Sequence, residues 1–329
     1  MRKIGYFAVD RGPQLTLGAL ALRLQGAWLK SAETDPPLGA EILRAEGIEL
    51  LVCGTSDSPR GRAIEGSARV AANALGIPVV VIEDFPGNFS DLPGGTPRLL
   101  SVESDFAARL ARIKAAAGAL PVHVGPCIRY DVLRRRVDEL RSLLHGKPDN
   151  CVLWIGQPET EDALRTLEVL LPALRAQRSA LWFRAHPGDE GYLGGAYRRL
   201  LAAAGLAVED LTASSLEGCL RRRPRLVVTQ FSSVAVEAGF WGFPALNVLL
   251  PEAGAARLAE KKGYSIPPWC DAGAAFVAGS PAEVAEKLER GLKSEEARGE
   301  VQQAFDRYFM VRQEGTPALV NLLYNQDFL

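Results

Sequence analysis

Short apolar runs recur along the chain, each closed by Gly, Pro, Asp or Asn, and between them apolar positions fall three and four residues apart. A continuous apolar run bounded by breakers fits a parallel strand covered on both faces, and the wider spacing fits an amphipathic helix. The first half predicts strands at Lys3–Val9, Glu49–Cys53, Val79–Ile82, Arg98–Val102 and Pro121–Val124. Helical spacing covers Leu15–Leu29, Leu38–Ala45, Arg62–Leu75, a stretch ending at Ala117, and Ile128–Leu144. Lys30–Pro37 reads as a polar connection, and FPGNFSDLPGGTP after Glu83-Asp84 as a true loop.

The best domain boundary is LHGKPDN, Leu144–Asn150, where a helix ends in Gly, Pro and Asn. Beyond it, strands are predicted at Cys151–Ile155, Ala180–Arg184, Leu226–Thr229, Ala245–Leu250 and Ala274–Val277, with helical patterns between them. Strands alternating with helices imply parallel sheets with right-handed crossovers. The expected architecture is α/β: two doubly wound domains, 1–146 and 151–294, facing each other across a cleft. The last stretch, 295–329, has helical periodicity without a partner strand, and packing back on the first domain is expected of it.

Composition narrows the partners. Across 329 residues, 38 Lys+Arg against 39 Asp+Glu leave a net charge of -1, which argues against a general nucleic-acid binder. The basic clusters RRRV at Arg134 and RRRP at Arg221 read as solvated helix faces. Cys53, Cys127, Cys151, Cys219 and Cys270 are scattered, with no C-x-x-C pair and no His at metal spacing, so a reduced cytoplasmic protein without a metal site is expected. No apolar stretch reaches the ~18 residues of a membrane span, and MRKIGYFAV lacks the form of a signal peptide. Peripheral membrane association and oligomeric state are left open.

In open α/β sheets, ligands bind outside the carboxyl ends of the strands. In the second domain those ends carry Gly156-Gln157, then Arg184-Ala185-His186-Pro187-Gly188, then Gln230-Phe231-Ser232-Ser233. Ser232 or Ser233 can cap the following helix, whose next free N–H groups would attract an anion. Glu237 lies one turn further in, within reach of a ribose; an ordinary capped helix with a solvated Glu is the alternative. Pro187 holds His186 extended, where its imidazole can bond a phosphate or base; a satisfied turn histidine is the alternative. His123 and His145 read as structural.

In the first domain the ends carry Asp10-Arg11-Gly12, Gly54-Thr55-Ser56 and Glu83-Asp84. Asp10 or Asp84 is a candidate general base for an acceptor hydroxyl, with Arg11, Thr55 and Ser56 beside them. A capping or salt-bridge role fits either carboxylate equally well. No G-x-G-x-x-G follows the first strand and no G-x-x-x-x-G-K-[ST] occurs, which removes nicotinamide, flavin and P-loop chemistry. Gly54-Thr-Ser56-Asp-Ser58 falls short of a nucleophile elbow, whose last position is Gly. No D-x-D follows a strand, which disfavours a divalent-metal diphosphate clamp.

Three ordered segments resemble the GT-B superfamily of nucleotide-sugar glycosyltransferases, UDP-N-acetylglucosamine 2-epimerases and polyol-phosphate transferases. Gly125-Pro126-Cys127-Ile128-Arg129-Tyr130-Asp131 looks like G-N-P-x-x-D, and Arg184-Ala185-His186-Pro187 looks like R-P-H-P. Ser232-Ser233 through Glu237-Ala238 to Gly242-Phe243-Pro244 looks like S-S-x-x-x-E-A-x-x-x-G-x-P. The resemblance covers about 120–290 and implies two Rossmann-like domains. It also implies that Ser232 and Ser233 hold a donor diphosphate, Glu237 the ribose, and His186 the phosphate or base. Asp10-Arg11-Gly12-Pro13 replaces the Gly-rich loop expected after the first strand, and the epimerases' D-S-G-G reads Gln230-Phe-Ser-Ser233. Their paired Glu is reduced to Glu237 followed by Ala238, so one acidic group of epimerase chemistry is missing.

The sequence thus points to a metal-independent glycosyltransferase without a cofactor. It would move a sugar from a nucleotide-sugar donor to a hydroxyl acceptor in surface glycan or polysaccharide assembly. The alternatives are a nucleotide-sugar epimerase or hydrolase, and a non-catalytic nucleotide-sugar binding protein.

Overall fold

A computed structural model gives the protein's structure over residues 2–29, 39–115, 120–143 and 150–329. The chain divides into two compact units, residues 1–135 with 312–329, and residues 136–311. Unit 1 runs β1 (Ile4–Phe7), α1 (Arg11–Ala21), β2 (Gly26–Trp28), α2 (Ala40–Ala45), β3 (Leu50–Cys53), α3 (Pro59–Ala74) and β4 (Val79–Ile82). It continues with β5 (Leu99–Val102), α4 (Asp105–Lys114), β6 (Val122–Val124) and α5 (Asp131–Ser142), whose last residues belong to unit 2. The six strands pair in parallel in the order β2-β1-β3-β4-β5-β6. β1, β3, β4 and β5 are buried along their whole length, as continuous apolar runs require. Their side chains feed two apolar clusters, one holding Phe7, Leu51, Val81 and Leu100, the other Tyr6, Val52, Val80 and Ile82.

Unit 2 runs β7 (Cys151–Ile155), α6 (Thr160–Ala176), β8 (Ala180–Arg184), α7 (Glu190–Leu193), α8 (Ala196–Ala202), β9 (Val208–Asp210) and α9 (Leu216–Arg221). Then come β10 (Leu226–Thr229), α10 (Val234–Phe240), β11 (Ala245–Val248), α11 (Ala256–Lys262), α12 (Pro268–Asp271), β12 (Phe276–Ala278), α13 (Pro281–Lys293) and α14 (Glu295–Tyr308). Its sheet is also all parallel, in the order β12-β11-β10-β7-β8-β9. Gly242 ends α10 at φ 85, a left-handed conformation that glycine takes without strain, and Phe243 N then bonds Ala238 O at 3.0 Å.

The final helix, α15 (Gly315–Asn325), belongs to unit 1, where Leu319 and Leu323 enter the second apolar cluster. Asp131 fixes its start. The carboxylate accepts from Gly315 N (2.9 Å), Thr316 N (2.7 Å) and Thr316 Oγ1 (2.5 Å), and pairs with Arg134 at 2.8 Å. Gly315 is required there, since a Cβ would stand 2.0 Å from the Pro126 carbonyl oxygen.

Several local expectations are corrected. The helix read over Leu15–Leu29 stops at Ala21, and Gly26–Trp28 is the edge strand β2. Leu24 N closes on Leu20 O, Tyr6 OH bonds Leu24 O at 2.8 Å, and Gly26 lies too close to Tyr6 and Ile4 for a side chain. A three-residue edge strand is too short to carry a period of its own. β9, Val-Glu-Asp, lies where only helical patterns were expected, for the same reason. β12 begins at Phe276, two residues later than read, and α3 begins at Pro59 because Ser58 caps it, accepting from Gly61 N at 3.0 Å. Arg134 is buried against Asp131 and the Cys127 carbonyl, so this part of RRRV is no solvated face; Arg221 and Arg222 do pair at the surface, with Glu217 and Glu209. The Lys30–Pro37 connection, Ala117, His145 and nearly all of the Leu144–Asn150 boundary lie outside the described residues. Among the described residues no helix is long and apolar enough to cross a membrane.

Candidate functional site

In unit 2 the chain leaves β7 for β8 and β9 on one side, and for β10, β11 and β12 on the other. The strand order therefore reverses between β7 and β10, and an open α/β sheet forms its ligand crevice at the carboxyl ends there. The sheet makes β10, β7 and β8 neighbours, so Phe231-Ser232-Ser233, Gly156-Gln157 and Arg184-Ala185-His186 share one edge. Gln157 joins two of these segments: its Oε1 accepts from Phe231 N at 3.0 Å, fixing the start of the serine turn. Gly156 packs beside the third, where a Cβ would stand 3.5 Å from His186 N.

His186 is set by its own loop. Gly188 N–H donates to its Nδ1 at 3.0 Å, so the ring proton sits on Nε2 and that nitrogen is a donor. Burial pushes its pKa below the ordinary value, the nearby Arg184 guanidinium adds to this, and Glu159 and Asp189 oppose it. At neutral pH the ring is a neutral donor with a fixed tautomer. Asp189 secures the turn behind it: its N donates to His186 O at 3.0 Å, and its carboxylate accepts from Gly191 N (3.0 Å), Thr160 Oγ1 (2.5 Å) and Tyr197 OH. Arg184 Nε donates to Ser214 O at 3.2 Å, and Thr212 Oγ1 accepts from Ala185 N at 3.0 Å.

The serine turn differs from the expected open helix terminus. Ser233 is already helical (φ -59, ψ -12) and its side chain makes no cap; Ser232 Oγ accepts from Val234 N at 3.3 Å instead. The amides of Ala235, Val236 and Glu237 close on the carbonyls of Ser232 and Ser233. The amides of the first helical turn are thus engaged within the chain and are not open to an anion. Glu237 lies half-buried in the first turn of α10.

In unit 1 the reversal falls between β1 and β3. Asp10 follows β1, and its carboxylate accepts from Asp57 N (2.9 Å), Ser58 N (2.9 Å) and Ser58 Oγ (2.8 Å), while its own N donates to Ser56 Oγ at 2.9 Å. Thr55 Oγ1 donates to Asp84 Oδ1 at 3.0 Å, which also accepts from Asn88 Nδ2 at 3.0 Å. Arg129 stands 3.8 Å from the other Asp84 oxygen. Asp10 is thus bonded to Ser56 and Asp84 to Thr55, two pairs adjacent along the chain, with Arg11 exposed on the first turn of α1.

Sequence reasoning missed two acids here. Glu65, inside α3, is buried and accepts from Val9 N (3.0 Å), Ser56 N (2.7 Å) and Ser56 Oγ (2.6 Å); nothing in its helical position announces that. Glu103 follows β5, and the strand-end rule applied to Val102 would have found it. In unit 2, Asp189 was legible as a helix cap after Pro187-Gly188.

No protein-family model matches the chain, and no curated protein matches it in sequence. Solved structures do. MurG of Acinetobacter baumannii superimposes with a TM-score of 0.64 at 16% identity, covering 99% of this chain and 100% of that one. UDP-GlcNAc 2-epimerase from Neisseria meningitidis, bound to UDP-GlcNAc, gives a TM-score of 0.65 at 10% identity, covering 99% and 100%. The wall teichoic acid polymerase TagF gives 0.54 at 12% identity, covering 99% and 88%. The two parallel sheets with flanking helices match the two Rossmann-like domains of these structures, and the chain has the GT-B fold.

Proposed function

We propose that the protein is a metal-independent glycosyltransferase that takes its sugar from a nucleotide-sugar donor held at the carboxyl edge of unit 2. The observation that carries this reading is the fixed Nε2–H of a neutral His186 after β8, beside the strand-order reversal and on the same edge as Ser232, Ser233 and Arg184. Such a set stabilises charge as it develops on a diphosphate leaving group. Glu237 accepts from ribose hydroxyls, and Gly156 and Gln157 shape the floor. In transfer, the acceptor oxygen bonds the anomeric carbon as the bond to the diphosphate breaks, and the nucleoside diphosphate leaves with the electron pair. The acceptor's proton leaves to a general base as that bond forms. Similarity to structures that include UDP-GlcNAc and UDP complexes supports a nucleotide-sugar ligand. Glycan assembly is the setting, and no cofactor beyond the donor is needed.

The test is thermal stabilisation by UDP-, GDP-, CDP- and dTDP-sugars and their free nucleotides, in wild type, His186→Ala and Glu237→Ala. A ligand at 100 times its Kd stabilises by about 2.7 kcal/mol. A shift with one nucleotide family, lost in both variants, is the expected result. No shift with any nucleotide in the wild type defeats the proposal. Where a donor is found, its consumption without added acceptor identifies an epimerase or hydrolase instead.

A further inference from the structure

β4 passes to its parallel neighbour β5 through residues 83–98, with no helix between them. Loops beyond about 12–15 residues without secondary structure are uncommon in compact domains and usually functional. This one is tied down at its start by acids. Glu83 Oε1 accepts from Gly87 N (3.1 Å) and Phe89 N (2.9 Å), while Asn88 is held by Asp84. The other oxygen of Glu83 and one oxygen of Glu103 are buried with no hydrogen-bond partner, a costly condition for a charged group.

The charged groups around them come from every neighbouring element. Asp84 adjoins Glu83 in sequence, and Glu103 ends the next strand. Lys114 of α4 donates to Gly87 O at 2.5 Å, and Arg129 stands beside Asp84. Arg134 of α5 is paired with Asp131, and Arg69 of α3 lies 5.5 Å from the Phe89 ring centre. Burial raises Glu83 to about 8; the Phe89 amide and Lys114 oppose this, and Glu103 and Asp84 add to it. Burial likewise raises Glu103 to about 7, with Asp84 adding and Arg134 and Arg129 opposing.

We propose that Glu83, with Glu103 as the neighbouring charge that tunes it, forms a proton-operated latch on the 85–90 turn. Neutral, Glu83 holds Gly87 and Phe89 against the sheet edge. Ionised, it frees the turn and withdraws Asn88 and Ser90 from the small polar cavity that these residues line with Thr55, Ser56, Glu65 and Arg69. An ionised Glu83 accepts the two amides more strongly, yet its second oxygen stays unsolvated among further acids. Water reaches that oxygen only when the turn moves. The latch stands apart from the donor-site reading and holds whether or not that reading does.

Amide hydrogen exchange of the full chain, followed by mass spectrometry on peptides spanning residues 85–92, tests it. Protection, corrected for the intrinsic exchange rate, is expected to fall tenfold or more between about pH 6 and pH 9 in the wild type. In Glu83→Gln, whose side-chain oxygen still accepts both amides, it is expected to stay level. In Glu103→Gln the fall moves to lower pH, because one repelling charge is gone. Level protection in the wild type, or an equal fall in Glu83→Gln, overturns the latch. Should Glu83→Gln fail to fold, an unshifted midpoint in Glu103→Gln overturns it instead.

Discussion

The carboxyl edges of the two sheets are built alike and furnished oppositely. The edge of unit 1 is crowded with acids, Asp10, Glu65, Glu83, Asp84 and Glu103, and most of their oxygens are taken by the unit's own amides and hydroxyls. The edge of unit 2 carries fewer acids: Gln157, His186, Ser232 and Ser233 stand there with Arg184 and Glu237, and the loop that fixes the His186 ring bonds its Nδ1 and not its Nε2–H. Buried carboxylates are costly unless hydrogen-bonded, and through such bonds Asp10, Glu65, Glu83 and Asp84 fasten the loops of unit 1, while Glu103 keeps a buried oxygen without a partner. Neutral donors carry a smaller desolvation cost and can stand ready for a ligand.

The largest expected effect that sharpens this contrast is in unit 1. Glu65→Leu leaves Val9 N, Ser56 N and Ser56 Oγ without their acceptor in a buried place, and should destabilise by roughly 3 kcal/mol. His186→Ala should cost about 1 kcal/mol or less in the same denaturation experiment, while removing nucleotide stabilisation. Comparable losses from the two substitutions would erase the distinction between fastener and site.

Next comes a dependence on pH. Glu83 keeps its proton in the folded chain up to about 8, above the ordinary 4.5 of a glutamate. A raised folded pKa gives stability that is fully present below pH 4.5 and is lost as pH rises through about 8. Glu83→Gln lacks that loss, so its stability relative to the wild type's should rise increasingly from pH 5 to pH 8, by roughly 2–4 kcal/mol at the upper end, and its melting temperature with it. Parallel melting curves with pH would refute the buried-acid account.

The smallest effect is at the serine turn. Ser232→Ala removes the side-chain acceptor of Val234 N and should cost about 0.5–1 kcal/mol. Denaturant titration measures it, and an unchanged midpoint would show that this bond contributes nothing.

The central strands of both sheets, the breakers between them and the three segments of the unit 2 edge were set by local chemistry. A buried parallel strand needs an unbroken apolar run, and Pro187 or Gly242 restricts its own neighbourhood whatever surrounds it. Tertiary structure alone decided what those residues could not signal locally. β2 and β9 exist because a neighbouring strand offers hydrogen bonds, not because three residues prefer to extend. Which hydroxyl caps α10, which nitrogen of His186 keeps its proton, and that Glu65 fastens two strand ends depend on partners brought near by folding. Asp131 makes the point most plainly: a residue legible as part of a motif binds the start of a helix that lies 184 positions away in sequence, a pairing that only the folded chain creates.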